Sequence, residues 1–198
     1  MIIRNVFDTP VVIHHCHDAE IFANKSIRDS IEFVFGLEEI RETIDPSQVG
    51  NAFTTCNHFD KFPLISMPGT ENLSEWVARK MLESSKHFGF ENSTKIEFSR
   101  TWINLYFYGC EGTCHHHPTD IDGVGIFYIK VPSNSSQLVF IRDGIDGTKI
   151  NQYPPEQLAF QPVVQGDLII HNPKVPHAIS KHKAHDSRIC FIYEFKYH

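Results

Sequence analysis

At 198 residues the chain is long enough to bury one sizeable core, and residues 1–198 read as a single domain. A content of 41% hydrophobic and 21% charged residues is that of a folded globular chain and excludes extended disorder. The net charge of −6 comes with no basic block, which argues against a nucleic-acid footprint and against an anionic membrane surface.

The N-terminal stretch "MIIRNVFDTPVVIHH" has no uninterrupted apolar run followed by a small-residue cleavage site, so no signal peptide is read there. No segment approaches the length needed to span a bilayer. Five cysteines (Cys16, Cys56, Cys110, Cys114 and Cys190) form no C-x-x-C pair. The odd count and wide spacing favour reduced thiols, and the expectation is a soluble cytoplasmic protein.

Two helical patterns follow. Over 18–37, Ile21, Phe22, Ile27, Ile31 and Phe35 form a loose apolar stripe; over 71–90, Leu73, Trp76, Val77, Met81 and Leu82 recur at helical intervals. Pro68, Gly69 and Thr70 punctuate the start of the second, and Gly89 its end. Near residue 95 the pattern changes to short strands separated by Asn, Gly, Pro and Asp clusters. These are "KIEFSRTWINLYFYG", "GVGIFYIKV", "SQLVFIRD", "QLAFQPV", "GDLIIHNP", "PHAISKH" and "SRICFIYEFKYH". Seven strands with no helices between them exclude a βαβ design and predict an α+β chain with a sandwich, jelly-roll or barrel core. Residues 1–95 would form a mainly helical cover packed on the larger sheet, and 96–198 the β core.

Within "TWINLYFYG", alternation puts Asn104, Tyr106 and Tyr108 on one face and Ile103, Leu105 and Phe107 on the other. The apolar face would pack on the helices, and the polar-aromatic face would line the barrel. Next comes "GTCHHHP". On an extended strand His115 and His117 point together while His116 points away, which makes a two-ligand metal platform. A third ligand must come from elsewhere. His177, at the start of the strand after "GDLIIHNPKVP", is the best candidate and His171 its competitor. Most of the 13 histidines must be surface or satisfied polar groups. What raises this set above that background is the H-x-H pair together with a distal histidine on a β framework. Neutral imidazoles suit Fe, Zn, Cu, Ni or Mn, and three facial ligands leave positions open for a cosubstrate and oxygen.

In order and spacing, the C-terminal half resembles the 2-oxoglutarate- and Fe(II)-dependent oxygenases of marine bacteria and cyanophages. The matching residues are Trp102, Ile103 and Asn104; His115, His117 and Pro118; the Gly125 to Ile129 run with Pro132; Leu138, Phe140 and Asp143; Gly166, Asp167 and Leu168 leading to His177; and Arg188 with Ile189. The resemblance implies a double-stranded β-helix of the jelly-roll or cupin-like type, with Fe(II) held by His115, His117 and His177 and with 2-oxoglutarate as cosubstrate. Arg188, eleven residues after His177, would then pair the distal carboxylate of 2-oxoglutarate through its planar fork. Asn104 and Tyr128 could hydrogen-bond the cosubstrate, or could equally be buried groups satisfied by backbone. No catalytic residue beyond the metal ligands is expected.

The chain departs from that family's usual H-x-D or H-x-E, because His117 holds the third position. Asp120 and Asp122 are the candidates to supply the missing carboxylate after a turn, and His171 stands where an aromatic residue is usual. What the resemblance implies is an oxygenase that hydroxylates a small molecule or peptide. The alternatives are a cupin-like metalloenzyme that does not use 2-oxoglutarate, with Asp122 as its carboxylate, and a non-catalytic β-barrel module. A homodimer stays open.

Overall fold

A computed structural model describes residues 1–41, 48–49 and 52–198. In chain order the elements are β1 (Ile2–Val6), β2 (Thr9–His15), α1 (Ala19–Phe22), α2 (Lys25–Gly36), α3 (Glu38–Arg41), β3 (Gln48–Val49), β4 (Ala52–Thr54) and α4 (Glu71–Ser84). They continue with β5 (Ile96–Tyr106), β6 (Glu111–Gly112), β7 (Gly123–Lys130), β8 (Leu138–Ile141), β9 (Leu158–Gln161), β10 (Asp167–His171), β11 (His177–Ile179) and β12 (Arg188–Tyr197). All seven strands expected after residue 95 are present.

The strands form a seven-stranded antiparallel sheet in the order β1-β2-β10-β7-β12-β5-β4, a three-stranded sheet β11-β8-β9 and a small β3-β6 pair. Alternation along β7 shows how the large sheet is covered on both faces. Phe127 and Ile129 join a core with Phe22, Ile27, Ile31, Leu73, Trp76, Val77 and Met81 of the helices. Ile126 and Tyr128 turn the other way, into a core shared with Leu138 and Phe140 of the small sheet. A strand buried on both faces reads as an almost continuous apolar run, which is why "GVGIFYIKV" and "ICFIYEF" lack a polar alternation.

The N-terminal part is less helical than expected. "MIIRNVFDTPVVIHH" is a hairpin, turned at Phe7 and Asp8, which both take positive φ (49° and 67°), and β2 pairs with β10 inside the large sheet. Two central residues in left-handed geometry are what a tight hairpin with native twist needs. Strand β4 adds to β5 at the opposite edge.

The expected helix over 18–37 is also broken. Asn24 leaves the helical conformation, its side chain accepts from Ile27 N–H at 2.9 Å, and α2 starts there. Beyond the break, Ile27, Ile31 and Val34 hold the apolar stripe. The second helix ends as expected: a short 3-10 turn follows α4 and stops at Gly89, with φ 86°. No described helix is long and apolar enough to cross a membrane.

Candidate metal centre

Strands β5 and β12 form one wall between the two sheets, and their register sets out the side chains in steps. Arg188 lies opposite Tyr106, Cys190 opposite Asn104, Ile192 opposite Trp102, and Glu194 opposite Arg100. All eight line a cavity of about 200 Å³ that also contains His115, His117 and His177. The expected split of "TWINLYFYG" holds along the strand: Asn104 and Tyr106 face this cavity, and Ile103 packs on the helical layer. Tyr108 lies past the strand end, exposed and stacked on His185.

The segment carrying the three consecutive histidines is extended and held by backbone bonds to the turn between β10 and β11. His115 and His177 form a two-bond antiparallel bridge, N–H to carbonyl at 2.9 and 3.1 Å, and His117 N–H donates to Pro173 C=O at 3.1 Å. This places His115 and His117 on one side. His116 turns outward to Asp146, 2.6 Å away, and the buried Cys114 packs with Val139, Ile141 and Ala178.

One nitrogen from each of His115, His117 and His177 lies within 4.8 Å of the other two. Every second nitrogen is engaged outward. His115 Nδ1 meets Thr113 C=O at 3.1 Å, His177 Nδ1 meets Val175 C=O at 3.1 Å, and His117 Nδ1 meets a Glu194 carboxylate oxygen at 2.6 Å. Carbonyls and carboxylates only accept, so Nδ1 is the protonated donor in each ring and Nε2 is the unprotonated nitrogen. Burial, reinforced by the neighbouring imidazoles, drives His177 well below its ordinary pKa, which keeps it neutral and able to ligate.

His171, the competing ligand, lies beside this cluster, its ring 4.7 Å from that of His177, but it is outside the set of three. Its Nδ1 donates to Asn172 C=O at 2.9 Å, and its buried Nε2 has no hydrogen-bond partner among the described residues. Neither aspartate joins the cluster: Asp122 accepts from Tyr197 N–H at 2.9 Å at the end of β12, and Asp120 is exposed.

Ser136 lies four positions along the chain from Phe140, the residue opposite His177, a span of roughly 13 Å if extended. Arg188 reaches Ser136: its Nη1 donates to Ser136 Oγ at 2.6 Å. Arg188 is 0% exposed, and its guanidinium lies 4.9 Å from the ring centres of both Tyr106 and Tyr128. Among the described residues, Nε, Nη2 and the Tyr128 hydroxyl meet no hydrogen-bond partner in good geometry, and no carboxylate pairs with this cation. Burial pushes the Tyr128 hydroxyl up, so it is a neutral donor. Asn104 is already bonded, accepting from Thr54 Oγ1 at 2.6 Å and donating to the Tyr106 hydroxyl at 3.1 Å. Its satisfaction thus comes from side chains rather than from backbone.

The sequence reading passed over Glu194 and Arg100. Glu194 is 1% exposed, and its second oxygen accepts from Arg100 Nε at 2.5 Å. Burial alone would raise its carboxyl, but the hydrogen bonds from His117 and Arg100 outweigh that and hold it below the usual carboxylate range. The signal was present: Arg188, Cys190, Ile192 and Glu194 share one face of an otherwise apolar strand, and a charge on a buried face requires a partner.

No family model and no curated protein matches the sequence. Solved structures do. A prolyl-4-hydroxylase from Pseudomonas putida is similar at TM-score 0.60 and 14% identity, over 94% of this chain and 91% of that one. SnoK, a non-heme alpha ketoglutarate dependent carbocyclase from nogalamycin biosynthesis, is similar at 0.64 and 13%, over 93% and 78%. A viral collagen prolyl hydroxylase from Paramecium Bursaria Chlorella virus-1 is similar at 0.58 and 14%, over 93% and 94%. At these identities the likeness is one of architecture: the chain has the α+β, double-stranded β-helix fold found in 2-oxoglutarate/Fe(II) oxygenases.

Proposed function

We propose that the protein is a non-haem Fe(II)- and 2-oxoglutarate-dependent oxygenase that hydroxylates a small molecule or peptide. The observation that carries this reading is a buried guanidinium with two unpartnered N–H-bearing nitrogens in the same cavity as three converging imidazole nitrogens. A buried cation without a carboxylate is costly in the unliganded protein, and a dicarboxylate anchored on a metal would resolve that cost. In this reading His115, His117 and His177 hold the metal through Nε2, their tautomers set by the acceptors behind them. Arg188 pairs the far carboxylate of the cosubstrate, with the Tyr128 hydroxyl as a second donor beside it. Trp102, Ile126, Ile179 and Ile192 line the walls and limit water around the reacting atoms. When bound, Fe(II) with 2-oxoglutarate and O2 supplies the oxidising power for C–H hydroxylation, releasing succinate and CO2. Among proteins of this architecture, the viral prolyl hydroxylase is described as a 2OG complex and the epimerase SnoN as a complex with Fe3+ and alpha ketoglutarate.

One observation favours a second reading. A ligand set of three neutral imidazoles, with no carboxylate, also suits a cupin-like metalloenzyme that does not use 2-oxoglutarate. Anaerobic addition of Fe(II) with and without 2-oxoglutarate, followed by visible absorption, separates the two. The expected result is a charge-transfer band that needs both components and is lost in Arg188→Met. Iron binding with no band on adding 2-oxoglutarate would overturn the first reading and leave the second.

A further inference from the structure

We propose that Glu194 is the positioning residue of the metal centre: it orients His117 and delivers, one imidazole away, the negative charge that an H-x-D or H-x-E motif would place directly on the metal. This rests on the three histidines being the ligands.

Glu194 lies inside β12 and is 1% exposed, where a carboxylate is rarely found unless paired. Its two oxygens serve different partners, Oε1 accepting from His117 Nδ1 at 2.6 Å and Oε2 from Arg100 Nε at 2.5 Å. The three candidate ligands are not equivalent in this respect. Among the described residues, the Nδ1 atoms of His115 and His177 donate to backbone carbonyls, whereas that of His117 donates to a carboxylate. An anionic acceptor makes the imidazole a stronger donor to metal and fixes its ring plane more firmly than a carbonyl does. His117 is also the member of the pair at which the motif departs from an acidic residue. The missing charge has thus moved outward along one ring, rather than to Asp120 or Asp122.

A purely structural role as Arg100's ion-pair partner explains less. Arg100 is 32% exposed and has the faces of Phe59 and Trp102 within 6 Å, so it has solvent and aromatic alternatives to a buried carboxylate. Such an ion pair gives no reason to aim Oε1 at His117. The β5–β12 register also shifts just past this point: Glu194 faces Arg100 but Phe195 faces Phe98, leaving Ser99 as an extra residue. Bulges of this kind re-aim neighbouring side chains.

The test is an anaerobic Co(II) titration by visible absorption, without 2-oxoglutarate, together with melting of the metal-free proteins. The variants are Glu194→Gln, Arg100→Met and the double variant. Glu194→Gln should weaken Co(II) binding about 10–100-fold and change the d–d envelope, as loss of a ligand-orienting group does. Arg100→Met leaves the His117 bond in place and should bind within about 3-fold of wild type. The double variant removes both charges together and should lose as much affinity as Glu194→Gln. Wild-type affinity in both Glu194 variants overturns the inference while the three-histidine site stands. Equal losses in Arg100→Met and Glu194→Gln also overturn it, by making the ion pair the cause. Absence of Co(II) binding in the wild type overturns both this inference and the function it rests on.

Discussion

Replacing Arg188 by methionine exchanges a buried cation for an apolar chain of similar length, and the structure sets both sides of the balance. Lost are the charge-assisted bond to Ser136 Oγ, about 1.5–3 kcal/mol, and two ring-face contacts of about 2 kcal/mol each. Recovered are several kcal/mol of charge desolvation and about 1–3 kcal/mol for each of Nε and Nη2, which lack partners. The two sides agree to within a few kcal/mol. The unliganded variant should therefore melt within roughly 12 °C of wild type, at about 2–4 °C per kcal/mol for a chain of this size. Ligand should separate the two proteins. At a hundred times Kd, 2-oxoglutarate added to the Co(II)-loaded wild type contributes about 2.7 kcal/mol, or roughly 5–11 °C, and the variant should gain none of it. Differential scanning fluorimetry over a 2-oxoglutarate series reads both quantities. Two results would refute the reasoning: an equal ligand-dependent rise in Arg188→Met, or an unliganded variant that no longer folds, which would make the guanidinium a structural cation.

Acid should weaken the metal-free protein through its buried neutral histidines. Burial, then the nearby His117, lowers His171 from 6.5 to about 3. The unfolded chain therefore binds a proton across that window that the folded chain refuses. Stability from this group is complete above pH 6.5 and falls by roughly 1.4 kcal/mol per pH unit on acidification toward 3. His171→Phe should flatten the pH 4–6 slope in urea melts by one proton, and an unchanged slope would place the uptake elsewhere. On the other face of the large sheet, Phe127 is 0% exposed and meets Phe22 and Trp76 edge-on at 5.4 and 5.8 Å. Phe127→Ala should cost about 3–5 kcal/mol, a fall in Tm of roughly 6–20 °C, with Co(II) stoichiometry unaltered. A fall under about 2 °C would contradict the packing of the helices on this sheet.

Much of the site could be read from local spacing, because strand alternation acts at a distance of two residues. "TWINLYFYG" placed Asn104 and Tyr106 on the cavity and Ile103 on the helices, and H-x-H placed two imidazoles side by side. Features that depend on a partner distant in sequence were not legible in this way. The hairpin of β1 and β2 reads as an undistinguished apolar start until its pairing with β10 makes it part of the large sheet. Asn24 looked like one more residue of a helix, although a side chain of its type competes with the backbone and caps the next helix instead. Glu194 is the clearest case. Its alternation with Arg188 sets it on the inner face, but a carboxylate on an inner face has several destinations. Only the register of β12 against β5, and the passage of the His117 loop over the same end of the cavity, decides between them. A residue whose role runs through another side chain carries no spacing motif of its own. The sequence shows the two-residue logic of the ligands, and the fold adds the charge that stands behind them.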